Sequence, residues 1–305
     1  GLPHSQAAVR RVIALAVVIL ALVVAGGAGL MTYAAASADQ AQVAEERDLI
    51  SRKMSDLRDG QTQQLVSVAA WDEAYSNLTI RLDPDWADRN VGYYFVHDLG
   101  MDAAFLLDEG GRPVYAWIGK ERTDPAAADT LRTAMAPLVA EMREQEAVNA
   151  RLAGIIRPVG RDAAMTRSGL VMVGGHPYLV AASTVTSENS GPKAIPARIV
   201  VTAKRLDGPL LSNFESDLHI REAHIASPDA RGAATSPLVD VHGYVVGQFA
   251  WTPKRPGLEV FRRTAPVLGL VLIALVGCGV TLALRIGAIL RELAAGDGAL
   301  ERTMA

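Results

Sequence analysis

The sequence predicts an α+β protein, in which a long N-terminal helix leads into an antiparallel sheet with flanking helices, the whole bracketed by two transmembrane helices. Three observations carry this. Two long runs hold no charge, Val12 to Ala36 and Thr264 to Leu284, and each matches the roughly 20 apolar residues a helix needs to cross hydrocarbon. A seam of helical period follows the first run. Beyond Pro84 the pattern changes to short runs bounded by turn residues, the signature of strands. The chain has 305 residues, of which 50% are hydrophobic and only 5% aromatic. That is more apolar than a soluble enzyme of this length needs, and the excess sits in the two uncharged runs.

The first run, read as transmembrane helix 12–36, has a rival in a cleavable signal peptide, since Arg10 and Arg11 precede it and Ala34 to Ala38 is rich in small residues. The apolar stretch of a signal peptide spans only about 7–15 residues, which favours an anchor. Arg10 and Arg11 abut its start, and no basic residue follows it before Arg47. The first helix tends to set orientation, so residues 1–11 and 285–305 are expected to be cytoplasmic and residues 37–263 outside. The sole cysteine, Cys278, lies within the second span, 264–284, so the outer region holds no disulfide. A net charge of −3 marks no nucleic-acid surface.

After the first span, no proline interrupts the chain until Pro84. Val43, Arg47, Ile50, Met54, Leu57, Gln61, Gln64, Val68, Trp71, Tyr75 and Leu78 fall at alternating spacings of four and three, close to a coiled-coil repeat. Polar residues at 47, 61 and 64 leave two uses open, pairing with a second copy in a homodimer or docking on the domain's own sheet. Met101 to Gly119 reads as a hairpin turning at Asp108, Glu109, Gly110 and Gly111. A helical stretch from Pro125 to about Leu152 follows. Gly169 to Thr186 reads as a second hairpin turning at Gly174-Gly175, and Ala197 to Leu206 as a further strand. Between Leu206 and Arg263, the segments REAHIASP, TSPLVDV and GYVVGQFAWTP are read as strands continuing the same sheet, a small separate subdomain being the alternative.

Nothing in the outer region suggests catalysis or a metal. His97, His176, His219, His224 and His242 form no i, i+4 pair. Ser190-Gly191-Pro192-Lys193 has Ser-x-x-Lys spacing but sits in a Gly- and Pro-rich loop, not on the helix that would let lysine activate serine. No enzyme activity, cofactor or metal is expected of this chain.

AAWDEAY (residues 69–75), RNVGYYFVHDLGMDAAFLLDEGGRPVY (89–115) and AKRLDGPLLSNF (203–214) resemble the fourth class of CHASE domain, an extracytoplasmic sensory module with a PAS-like fold. The match covers about residues 60–215, and its most specific element is Trp71-Asp72 with Tyr75. Ser67-Val68-Ala69 stands where the family often has Asp-Trp-Ala. The resemblance implies a sensor in a bacterial inner membrane, with residues 37–263 periplasmic, feeding a cytoplasmic GGDEF or EAL domain that makes or degrades cyclic di-GMP. The alternatives are an input to a histidine kinase or chemoreceptor, or a membrane-anchored binding protein.

Two roles are open for the Trp-Asp block. Trp71 and Tyr75 can pin the helix to the sheet with Asp72 bonded to a backbone donor or an arginine. Alternatively, Asp72 and Tyr75 reach a PAS-type pocket for a small polar or cationic ligand, with Trp71 as its aromatic wall. Tyr93, Tyr94, His97, Trp117 and Tyr178 are the further candidates. The stimulus, a small molecule or a physical one, would shift the first span against the second. Small residues at Ala21, Ala25 and Gly29, and at Ala274 and Cys278, permit close helix contacts in the bilayer. Beyond the second span, Ile286, Leu290, Leu293, Asp297, Leu300 and Met304 resume the seam, interrupted by Gly296-Asp297-Gly298. The sequence then stops without a helix cap, which reads as a linker to an output domain.

Overall fold

Strand β1 (Ala103–Leu107) is buried at every position, and its alternation explains the architecture of the domain. Successive side chains point to opposite faces, so Ala103, Phe105 and Leu107 feed one core while Ala104 and Leu106 feed another. The sheet therefore needs a cover on both sides. The computed structural model describes residues 2–152, 160–189, 196–232 and 234–303. It divides into two units, residues 45–253 and residues 1–44 with 254–305.

In the larger unit, β1 pairs antiparallel with β2 (Pro113–Ile118) and with β6 (Ile199–Arg205). A third strand, β3 (Glu121–Thr123), pairs with β2 at one edge, and the hairpin of β4 (Thr166–Val173) and β5 (His176–Thr184) completes the other side. The order is β3-β2-β1-β6-β5-β4, the expected PAS-like antiparallel sheet. Both predicted hairpins form where expected. Gly174 and Gly175 have φ of 58° and 78°, as a two-residue turn with two left-handed positions demands. At the other hairpin, Asp108 Oδ1 accepts the Arg112 amide at 2.8 Å.

One face is covered by α4 (Asp129–Ala134) and α5 (Ala136–Leu152), through Leu131, Met135, Leu138 and Met142. The other is covered by the end of α1 (Leu2–Ala69) and by the segments that follow it, through Leu65, Tyr75, Leu78, Trp86, Val91 and Phe95. Each fully buried Leu or Phe contributes about 1.5–3 kcal/mol, so both layers are tightly held. Part of the α1 seam is spent inside the chain. Ile50 is buried, and the polar Gln61, also buried, donates from Nε2 to Thr202 O at 3.2 Å and Thr202 Oγ1 at 3.0 Å, whereas Gln64 is exposed. Leu65, one position beside the seam, is buried as well.

Three expectations need correction. The first helix does not run to Leu78: it ends at Ala69, and Trp71 is extended at φ −140°, ψ 137°. Ala70 bridges Thr186 instead, and the Thr186 amide donates to Ala69 O at 2.9 Å, a long-range bond that replaces the next helical turn. Second, the stretch after Pro84 is helical, as α3 (Pro84–Ala87) followed by a π-helix over Asp88–Asp98. Asp83 is its N-cap, accepting from the Asp85 and Trp86 amides at 3.0 and 3.1 Å, with proline at the first helical position. Third, residues beyond Leu206 do not extend the main sheet. After α6 (Gly208–Leu218), β7 (Arg221–Ala226), β8 (Thr235–Val239) and β9 (Val245–Thr252) form a separate three-stranded sheet in the order β7-β9-β8. The strand β6 is central and paired on both sides, so the chain after it could rejoin the main sheet only at the β3 or β4 edge, and its strands pair with one another instead. The second sheet grips α1 through Trp251 Nε1, which donates to the buried Glu46 at 2.7 Å, and through Arg47 Nε, which donates to Thr235 O at 2.9 Å.

The smaller unit holds the first part of α1 and α7 (Pro256–Thr303), two helices long and apolar enough to cross a membrane. Their apolar side chains are outward: Leu22, Val23, Leu270 and Ile273 are each at least 66% exposed, a surface that water would disfavour and hydrocarbon would not. The helices touch where the Gly257 amide donates to Asp39 Oδ1 at 2.7 Å. A Cβ on Gly257 would stand 2.0 Å from Ala35 O, so only glycine fits there. Ser190-Gly191-Pro192-Lys193 and Met304 lie outside the described residues.

Candidate functional site

The break in the helix at Trp71 puts Asp72 at the start of α2 (Asp72–Tyr75), beside the segment that leaves β5. Its Oδ1 accepts from Ser187 Oγ at 2.5 Å, the Glu188 amide at 2.8 Å and the Asn189 amide at 3.4 Å, and its Oδ2 accepts from Asn189 Nδ2 at 2.5 Å. These bonds, led by the Ser187 hydroxyl and the Asn189 amide group, hold its carboxyl below the usual carboxylate range. Trp71 lies over Trp86, ring centres 5.9 Å apart, and is 37% exposed. Tyr75 is buried in the core with Leu78 and Phe95. The block thus fastens the end of α1 to the end of β5.

The other candidates are dispersed. Tyr93 is exposed and stacks on His97 at 4.3 Å, and His97 meets Asp98 at 3.1 Å. Tyr94 packs edge-on against Phe95. Trp117 packs against the same core as Tyr75, whereas Tyr178 packs against the core on the opposite face of the sheet. The structure does not bring Tyr178 together with the rest.

A cleft of about 360 Å³ lies at the β3 edge, lined by Leu82, Pro84, Val114, Tyr115, Arg122 and Thr123 among others. The π-helix contacts two of its polar residues, Tyr115 and Arg122. Gly92 lies against Trp117 and the Tyr115 hydroxyl, and a Cβ there would stand 2.3 Å from the indole and 2.5 Å from that hydroxyl. Four residues earlier on the π-helix, Asp88 accepts from Tyr115 Oη at 3.0 Å and forms an ion pair with Arg122 Nη1 at 3.1 Å. Asp85 stands 3.8 Å from the same Arg122 nitrogen. Burial, then the adjacent Asp88 carboxylate, pushes the Tyr115 phenol well above its ordinary value, so it stays a hydrogen-bond donor at any physiological pH. Thr123 Oγ1 is buried without a hydrogen-bond partner among the described residues.

A second cleft, of about 340 Å³, lies between the β1–β2 turn and α5. Its charges are engaged: Arg143 donates to Glu146 at 2.7 Å, Ala197 O at 2.6 Å and Asp108 O at 3.2 Å, while Glu146 Oε1 accepts the Ala197 amide at 2.8 Å. This is a strut between helix and sheet. Among the described residues no group of three or more His, Cys, Asp or Glu is arranged to hold a metal.

Asp88, Tyr115, Arg122 and Thr123 were not among the residues singled out from sequence. The legible signals were Asp83-Pro84, a helix start that carries Asp88 over the sheet, and Gly119-Lys120, a turn that sends Arg122-Thr123 back along β2.

No curated protein matches the chain in sequence. The model of one family does, the CHASE4 domain, over residues 54–225. That match takes in the Asp72 fastening, the π-helix and every residue of the cleft at the β3 edge, and ends in β7 of the second sheet. A sheet covered on both faces, entered from a long helix and lying in sequence between two apolar helices, is the setting of an extracytoplasmic sensor domain in a two-pass membrane protein, and by this match over more than half its length the chain belongs to the CHASE4 family.

Proposed function

We propose that the chain is the input half of a two-span receptor, which detects a stimulus outside the cell and passes it through its membrane helices to a cytoplasmic output controlling cyclic di-GMP turnover. The observation that carries this is the continuity of α1. One helix runs from Leu2 to Ala69, through the apolar stretch and on to residues bonded to the sheet. Gln61 is tied to Thr202, and Ala69 O to the Thr186 amide. A rearrangement of the sheet or of the Asp72 fastening would therefore act on a helix that enters the bilayer without a break. To bias a two-state receptor, the stimulus need favour one state by only a few kcal/mol.

In this proposal residues 37–263 are periplasmic, both ends of the chain are cytoplasmic and the membrane is a bacterial inner membrane, in keeping with Arg10 and Arg11 before the first span. A homodimer would pair through faces of α1 other than the Ile50, Gln61 and Leu65 face, which is buried in the chain itself. The test is the coding sequence downstream of codon 305. An in-frame GGDEF or EAL domain is expected. A phospho-acceptor histidine helix there would move the output to a kinase and overturn the cyclic di-GMP assignment.

A further inference from the structure

Helix α7 does not cap its own start. The Arg255 carbonyl accepts the Glu259 amide at 3.1 Å, which makes Arg255 the N-cap, with Pro256 at the first helical position. An N-cap side chain usually accepts an amide of the first turn, but a guanidinium carries donors only. The missing acceptor comes from 218 residues away in sequence, where Asp39 Oδ1 takes the Gly257 amide at 2.7 Å. Asp39 is the sole charged residue between Arg11 and Glu45, and its charge suits the positive end of a helix dipole.

A second contact one turn away fixes the same register. Ala35 and Asp39 are four residues apart and share a face of α1, and the Ala35 carbonyl oxygen lies 2.0 Å from where a Cβ on Gly257 would stand. Gly257 does not have a positive φ, so its missing side chain serves the close approach and not the backbone. A slide of one helical turn, about 5.4 Å, would bring Ala35 or Val43 opposite the Gly257 amide in place of Asp39, and neither side chain can accept a hydrogen bond. Cap and close approach therefore coexist in one register only. We propose that Asp39 and Gly257 form a register lock between the two membrane helices, closed in one signalling state and open in the other, where α7 has moved along or away from α1. The lock rests on the reading of the chain as a receptor, and names the contact through which its two spans are regulated.

The experiment joins the full chain to a diguanylate cyclase domain in a membrane host and reads cellular cyclic di-GMP at equal membrane abundance of each variant. Asp39→Ala removes the acceptor, and Gly257→Ala forces the helices apart. Both are expected to move the basal output in the same direction, by about 2- to 30-fold, the change in a two-state ratio that loss of a helix cap gives. Asp39→Asn supplies an equally good cap and is expected to stay near the parent level. Arg255→Ser in the Asp39→Ala background gives α7 a cap of its own, and the output is expected to remain shifted, because that cap no longer reaches α1. A return to the parent level there would show Asp39 to be a helix cap and nothing more, and would overturn the proposal. Parent-level output from Asp39→Ala and Gly257→Ala, or shifts in opposite directions, would overturn it too. If the same fusion still responds to a two-alanine insertion in α1, the receptor reading survives that result. A fusion that ignores the insertion as well would remove the receptor reading, and the lock with it.

Discussion

Gly92 offers the sharpest test of how the π-helix meets the sheet. An alanine Cβ at this position would stand 2.3 and 2.5 Å from Trp117 ring carbons and 2.5 Å from the Tyr115 hydroxyl, far inside the roughly 3.5–4.0 Å of an ordinary carbon contact. Trp117 is only partly buried and can give way, but Tyr115 is 2% exposed and bonded to Asp88. Overpacking costs about 1–3 kcal/mol, and weakening a hydrogen bond to a carboxylate costs about 1.5–3 kcal/mol. Against this, alanine gains about 1 kcal/mol over glycine in a helix. The expected net loss for Gly92→Ala is about 1.5–5 kcal/mol, which for a unit of this size lowers the melting midpoint by upwards of about 3 °C. Gly60→Ala is the control. Gly60 lies in α1 with nothing within 4 Å of its would-be Cβ, so that variant is expected to gain about 0.5–1 kcal/mol. Both are read by thermal unfolding in detergent, and Trp117→Leu in the Gly92→Ala background is expected to recover part of the loss. A Gly92→Ala protein melting at or above the parent, as Gly60→Ala should, would refute the packing of the π-helix on β2.

Asp72→Asn tests the fastening of α1. Because the Asp72 pKa is lowered in the folded state, its carboxylate adds stability above the unfolded pKa of about 3.9, and that contribution is lost as pH falls through the folded value. The parent should therefore exceed Asp72→Asn in melting midpoint at pH 7, with the gap closing on acidification toward pH values below about 4; a constant gap would contradict the role of the charge. Gln61→Leu strips the buried Thr202 of its amide partner and should cost about 1–3 kcal/mol by denaturant unfolding, whereas a neutral result would mean that α1 does not dock on β6. Glu146→Gln leaves Arg143, 21% exposed, without its counter-charge. It should cost about 2–4 kcal/mol, somewhat less than breaking a fully buried pair, and a loss below measurement error would show the strut to be idle.

What was legible in the sequence was what local patterns encode. The uncharged runs, the Gly110-Gly111 and Gly174-Gly175 turns and the alternation of β1 each carry their structural meaning within a few residues. What escaped was set by distant partners. The helical period runs unbroken through Trp71, and only the backbone of Thr186 and the Asp72 bonds to residues 187–189 stop the helix. A π-helix has no signature in a 3.6-residue pattern, although Asp83-Pro84 announced that a helix began. The separate second sheet follows from β7, β8 and β9 pairing with one another rather than with an edge of the main sheet, a choice of partners that strand composition does not reveal. At the site, Trp71-Asp72 was recognisable as unusual, but its partners were not. Asp88 and Arg122 meet across a gap in sequence that only the fold closes. Tyr178 shares a face with Val180 by simple alternation, and that placed it on the far side of the sheet from the others.

The central claim is that α1 transmits the signal as a helix, and it is tested most directly by changing its phase. The chain is joined in frame ahead of a diguanylate cyclase domain in a membrane host. One, two, three or four alanines are inserted in α1 between Asp39 and Val43, and cellular cyclic di-GMP is measured. Each added residue turns one side of the insertion against the other by about 100°, and roughly four restore a full turn. The account predicts an output that is lost or inverted by one or two insertions and returns toward the parent level with four. An output that ignores the insertions, or falls steadily with their number, would contradict it.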